Sequence, residues 1–121
     1  MKKRRIQDNT LIISDDSGTE FLSINEERDK DQLIISVSGS IKNEAAFDFE
    51  DELIGALSVF RRIVVDFSGV SYIGGAALNS LMAAKRITDE NGGEMILRKV
   101  SPEIMQVIES GLADILIIED N

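Results

Sequence analysis

Residues 61–93 read RRIVVDFSGVSYIGGAALNSLMAAKRITDENGG, a segment that divides into a strand, a tight loop and a helix. Ile63, Val64 and Val65 form a β-branched run continued by Asp66 and Phe67. Apolar residues at consecutive positions of so short a run predict a strand over 63–67 buried on both faces, as in parallel sheets. A turn through Ser68–Gly75 is expected next. From Ala76 onward Ala77, Leu78, Leu81, Met82, Ala84 and Ile87 cluster on one side. Asn79, Lys85, Arg86 and Asp89 fall largely outside that stripe, so a helix is expected over 76–90. Gly92 and Gly93 close it, because glycine tolerates the left-handed conformation at helix ends. Gly74 and Gly75 therefore stand at a helix N-terminus beyond the carboxyl end of a buried strand. Open α/β sheets place their working surface there.

Downstream, Met95-Ile96-Leu97 predicts a third core strand. Ser101-Pro102 supplies a cap and a first-turn proline for a helix over 102–110. Its inward residues are Ile104, Val107, Ile108 and Leu112, with Gly111 as the stop and a last strand over 115–118. Upstream, Asn43 is a plausible cap for a helix reaching Leu57. Ala46, Phe49, Leu53 and Leu57 make its inner stripe with Phe47 and Ile54 alongside, while Asp48, Glu50, Asp51 and Glu52 face out or complement the helix's positive N-terminal half. Phe21–Asn25 and Leu33–Ser38 are β-rich runs joined by the charged link Glu26–Asp31, suited to an exposed hairpin loop. Residues 1–20 are expected to form a mobile tail with at most one edge strand, over 10–14, and residues 21–121 to form the domain. The group Asp15, Asp16 and Glu20 lacks the alternating oxygen ligands of a calcium loop and reads as a solvated turn.

The resulting order is β-β-α-β-α-β-α-β. It predicts an α/β fold with a mixed, largely parallel sheet of four to six strands. Helices pack on that sheet through right-handed crossovers, and the opening hairpin is antiparallel.

Composition narrows the function. A chain of 121 residues is one domain by length. The absence of cysteine removes disulfides and thiolate metal sites, and the absence of histidine removes the commonest general base and metal ligand. No cofactor and no metal are expected. A net charge of −9 argues against nucleic acid and anionic membrane, both of which present phosphate. Lys2, Lys3, Arg4 and Arg5 are a local exception. No apolar core follows them as a signal peptide requires, and no apolar run approaches the ~20 residues of a membrane helix. A cytoplasmic protein is expected.

The 61–93 segment also resembles the signature of the STAS domain, the fold of bacterial anti-sigma-factor antagonists and of sulfate-transporter tails. In that family a strand ending in Asp-Leu-Ser leads, through a short link and an Asp-Ser-Ser-Gly-Leu turn, into a helix. VVDFSGVSYIGGAALNSL is similar to it at the strand, at Asp66, Ser68, the apolar Tyr72-Ile73 pair and Leu78. By this resemblance the Asp-Ser-Ser-Gly turn falls on Gly74, Gly75, Ala76 and Ala77, so Gly75 occupies the place of the phosphorylated serine. The family's Gly-Glu-Leu-Asp after the second strand corresponds to Gly39-Ser40-Ile41-Lys42, without either acid. The resemblance spans about residues 21–118 and implies a STAS-type fold.

Three chemistries fail on the residues themselves. The glycines at 69 and 74–75 open like a P-loop, but Ala76 and Ala77 follow where Lys and Ser/Thr are required. Ser80 and Lys85 lie five residues apart, about 500° of helical rotation, and do not share a face. Asp66 reads as a structural carboxylate accepting backbone or Ser68 hydrogen bonds.

What the resemblance implies is a non-enzymatic, regulatory protein-binding module without the usual serine switch. Its partner would be an anti-sigma factor or serine kinase-like regulator. The partner-binding candidates are Ser40, Lys42, Ser71, Tyr72, Gly74, Gly75, Ala76, Asn79 and Ser80, with Ser71 or Ser80 as alternative acceptors of phosphate. A positive φ at Gly75 is left open, as is self-association. The alternative is a STAS scaffold subunit of a larger signalling or transport complex.

Overall fold

Alternation of apolar and polar residues builds the first half of the molecule. β1 (Lys3–Gln7), β2 (Thr10–Ser14), β3 (Glu20–Asp29) and β4 (Gln32–Ile41) form an antiparallel meander. The second half alternates helix and strand: α1 (Ala45–Leu57), β5 (Arg62–Ile73), α2 (Gly75–Asn91), β6 (Glu94–Arg98), α3 (Pro102–Glu109) and β7 (Ile117–Glu119). The computed structural model describes residues 3–42, 45–109 and 117–119. Asn43, Gly111, Leu112 and the first two positions of the expected last strand lie outside them. One sheet holds the seven strands in chain order, with β4 through β7 pairing in parallel. A strand order that advances steadily in one direction puts all crossover helices of one hand on one face. The core agrees: Ile63, Val65 and Phe67 of β5 cluster with residues of all three helices, whereas Val64 and Ile96 are buried outside that cluster. Among the described residues no helix is long and apolar enough to cross a membrane.

The α/β class and the mixed sheet match expectation, but the sheet has seven strands rather than four to six, and only half its neighbours are parallel. The extra strands come from residues 3–14, expected as a tail with one edge strand at most. Leu11 and Ile13 are buried in the core, and Asp8, at φ 56, turns the chain so that β1 pairs with β2. Aspartate tolerates that left-handed geometry better than most side chains. The β3–β4 hairpin is longer than the apolar pattern shows, because Glu26–Asp29 stay paired up to a tight turn with Lys30 at φ 58.

β5 departs furthest from the reading of the sequence. In place of a five-residue strand and a long turn, it continues to Ile73, held against β4 across two register shifts. Small residues make this possible. A Cβ on Gly69 would lie 2.2 Å from Ser38 Oγ, and Gly39, at φ +106, would drive one to 2.1 Å from the Phe21 carbonyl oxygen. Gly69 therefore lets β5 pass β4 closely, while Gly39 lets β4 lie close to β3.

Phe49, Leu53, Leu81 and Ile108 bring the helices onto the sheet, and Phe49 meets Phe67 edge-on with ring centroids 6.5 Å apart. Ser101 Oγ accepts the Ile104 N–H at 3.3 Å and caps α3. Three side chains differ from the expected faces. Phe47 and Met82 are exposed rather than inward. Asp48 is buried rather than outward, because β1 brings the Arg4 guanidinium to 3.1 Å from its carboxylate. Phe49→Ala is expected to cost about 3–5 kcal/mol in chemical denaturation. Phe47→Ala, with its ring already in water, should stay within about 0.5 kcal/mol of the parent.

Candidate functional site

The parallel register of β4 and β5 assembles the candidate site from two distant pieces of chain. Ser40 pairs with Tyr72 and Ile41 with Ile73, and the Gly74 N–H then donates to the Ile41 carbonyl at 3.0 Å. Ser40 and Lys42 are thereby set beside Ser71 and Tyr72. The Ser40 and Ser71 hydroxyls are 3.5 Å apart, and Lys42 Nζ stands 5.8 Å from the centre of the Tyr72 ring. A cation over an aromatic face contributes about 0.5–1 kcal/mol when exposed, as Tyr72 is here. It holds a positive charge beside the glycine corner, where a Cβ on Gly74 would lie 3.6 Å from Lys42 Cβ and 3.7 Å from the Tyr72 ring.

Gly74 is the N-cap of α2, in an extended conformation, and makes no side-chain cap bond. Its carbonyl accepts the Ala77 and Leu78 N–H groups at 3.1 and 3.2 Å, so the helix starts tightly at Gly75. Gly75 is not among the glycines with positive φ, and a Cβ there would meet nothing within 4 Å. Any small side chain fits the site. Gly75, Ala76 and Asn79 are exposed, and together with Gly74 they present a flat, nearly featureless start of helix with a partial positive charge from its free N–H groups.

Ser80 is the exception among the nine candidates. It is 2 % exposed, and its hydroxyl lies 3.0 Å from the Ala46 carbonyl and 3.1 Å from that of Ala76. α1 covers this position, so Ser80 fastens α2 to α1 and presents nothing to a partner. The Ser-Lys pair is likewise dismissed by geometry, since Lys85 pairs with Asp89 at 2.8 Å.

Asp66 sits further back on β5, nearly buried. Its Oδ1 accepts the Ser68 N–H at 2.8 Å, and Arg98 Nη2 and Lys99 Nζ approach its Oδ2 at 3.4 and 3.9 Å. Burial works to raise this carboxyl. The Ser68 backbone and hydroxyl bonds, with Lys99 and Arg98, outweigh it and hold the group below its ordinary range. Asp66 therefore acts as the structural carboxylate the sequence suggests, stiffening the strand that carries the corner. A depressed carboxyl stabilises the fold above its unfolded pKa and loses that contribution as pH falls through the folded value. Asp66→Asn should lower Tm at pH 7, with the gap to the parent narrowing below about pH 4 as the parent's own carboxyl protonates.

The chain matches the family model described as Mlab, STAS domain, over residues 24–118. No curated protein matches it. Solved structures share the fold at low identity. An anti-sigma factor antagonist from Mycobacterium paratuberculosis is 20% identical, with a TM-score of 0.73 over 83% of this chain and 86% of that one. A putative anti-sigma factor antagonist from Thermotoga maritima is 18% identical, with a TM-score of 0.70 over 81% and 86%. The Bacillus cell fate determinant SpoIIAA, in its phosphorylated form, is 18% identical with a TM-score of 0.63 over 81% and 92%. With a family model covering most of its length and a sheet and helices in the matching order, the chain belongs to the STAS-domain family.

Proposed function

We propose that this STAS domain is a non-enzymatic regulatory module that docks a cytoplasmic protein through the corner where β4, β5 and α2 meet, and that it does so without a serine switch. The observation that carries this reading is the open start of α2. Gly75 stands where the resemblance puts the serine, and it offers neither hydroxyl nor bulk. A phosphoserine works by adding about −1.5 to −2 charges at such a helix N-terminus. A glycine there can receive none, so the surface stays competent at all times and regulation falls to abundance or to another residue. Ser71, exposed beside Ser40, remains as an acceptor, whereas Ser80 is enclosed. The partner class follows the solved relatives named as antagonists: an anti-sigma factor or a serine kinase-like regulator.

A second reading, a scaffold subunit of a larger signalling or transport complex, is favoured by a separate observation. Phe47, Tyr72 and Met82 are 66%, 51% and 39% exposed, and they belong to the first turn of α1, the end of β5 and the second turn of α2. Large apolar side chains at the surface are a mark of interfaces when they gather in one region. Capture of a stable multi-subunit assembly through these residues would favour the scaffold over the switchless antagonist.

Because Gly75 carries no positive φ and has space around it, substitutions here test docking rather than folding. Gly75→Asp is neutral to mildly favourable for α2, by about 0.3–1 kcal/mol, since it puts an anion at the positive end of the helix. In pull-downs from native cytoplasm it should abolish partner capture. Gly75→Ala should largely retain capture, and both variants should melt within a few degrees of the parent. Equal capture by all three proteins would move the interface away from the corner. Incubation with an antagonist-type serine kinase should leave the corner unmodified; stoichiometric phosphate mapped to Ser71 by mass spectrometry would mean a displaced switch.

A further inference from the structure

Glu26 occupies a position that the strand pattern reserves for an apolar side chain. Alternate residues of a strand share a face, and on β3 the buried Leu22 and Ile24 are followed on that face by Glu26. The inner face of the sheet thus ends in a half-buried acid. It looks into a cavity of about 370 Å³ between the β1–β2 hairpin and α1, whose lining includes Ile6, Asp8, Leu11, Arg28 and, from α1, Glu52. Glu26 and Glu52 are hydrogen-bonded to each other. Two carboxyls can share that bond only through a proton, and without it they are like charges in a partly dry seam.

We propose that the Glu26–Glu52 pair is a proton-operated latch: one shared proton seats α1 against β3 and the β1–β2 hairpin, and its loss loosens that seam. The surroundings support a latch rather than a permanent ion pair. The cavity's one lining cation among the described residues, Arg28, is drawn elsewhere. Its guanidinium stands 5.5 Å from the centre of the Phe60 ring, and its Nε donates to the Lys30 carbonyl. From the hairpin turn Asp8 adds a third acid, while β2 contributes Thr10 and Leu11, and β4 Leu33, none of them charged. One helical turn before Glu52, Asp48 of α1 holds Arg4 of β1, and the Glu26 N–H donates to the Asn9 carbonyl of the hairpin turn at 3.0 Å. The hairpin is therefore fastened on both sides of the carboxyl pair, to α1 and to β3. Burial, the bond to Glu52 and the Glu52 charge together push Glu26 up to about 7. This reading does not depend on the docking surface at Gly75.

The sign of the effect is definite. A carboxyl whose folded pKa is raised holds its proton more tightly in the folded state, so its contribution to stability is greatest at low pH. It falls as pH rises from the unfolded value towards the folded one, and levels off above. The chain has no histidine and no cysteine, so no side chain with an ordinary pKa titrates between pH 5 and 8. The parent protein should lose several degrees of Tm between pH 5 and pH 8. Glu26→Gln keeps a hydrogen-bond donor for Glu52 but cannot titrate; its Tm should be flat over that range and exceed the parent's at pH 8. Glu52→Gln, which removes the bond and the charge that add to burial in raising Glu26, should make the fall shallower if Glu26→Gln folds poorly. Hydrogen exchange supplies the structural readout. After correction for hydroxide catalysis, amides of residues 3–14 and of Glu26 should open several-fold more often at pH 8 than at pH 6 in the parent alone. A parent Tm that is level from pH 5 to 8, a fall that persists undiminished in both variants, or hairpin amides indifferent to pH would each overturn the latch.

Discussion

The parallel pairing of β4 with β5 is the constraint on which the rest of the molecule depends. The strands of a parallel pair must be joined by a crossover, so this pairing commits the chain between β4 and β5 to the connection that carries α1. It also exposes both strands' hydrogen-bonding edges to further neighbours, β3 on one side and β6 on the other. Ile63, Val65 and Phe67 then lie under all three helices, and the edge-on contact of Phe49 with Phe67 joins α1 to the centre of the sheet. Burying such side chains stabilises by about 1.5–3 kcal/mol each.

The same pairing makes the site. Residues 39–42 and 71–75 are remote in sequence, and it is the continuation of β5 alongside β4 to Ile73 that sets Lys42 over Tyr72 and ties Gly74 to Ile41. The close approach of β5 to β4 depends on the absent side chain at Gly69, so the surface rests on backbone geometry more than on polar chemistry.

At the opposite flank of α1 the chemistry is different. Arg4 with Asp48 forms an ordinary ion pair between the added hairpin and the helix, while Glu26 with Glu52 places like charges at the same seam. A protein that ends an apolar row with an acid, and faces it with a second acid, has an interface whose strength depends on one proton. The N-terminal hairpin, held by the β2–β3 ladder and by the buried Leu11 and Ile13, carries this acid pair in addition.

The reach of the sequence is visible in particular residues. The run Ile63–Phe67, the stripe through Ala77, Leu81 and Ala84, and the cap at Ser101 identified strand, helix and helix start, because period and capping act locally. The match of Asp66 and Ser68 to a family signature carried the fold further than periodicity could. What the sequence did not reveal was long-range. The hairpin of residues 3–14 is built on Leu11 and Ile13, whose value depends on a core assembled from the far end of the chain. The extension of β5 to Ile73 looks like a turn, since Ser68, Gly69 and Gly74 carry turn propensity, and only pairing with β4 overrides it. Asp48 is buried because β1 brings Arg4 onto that flank of α1. Ser80 was drawn inside by the packing of α2 on α1. Local periodicity fixes which residues can share a face; only the assembled sheet decides which faces meet.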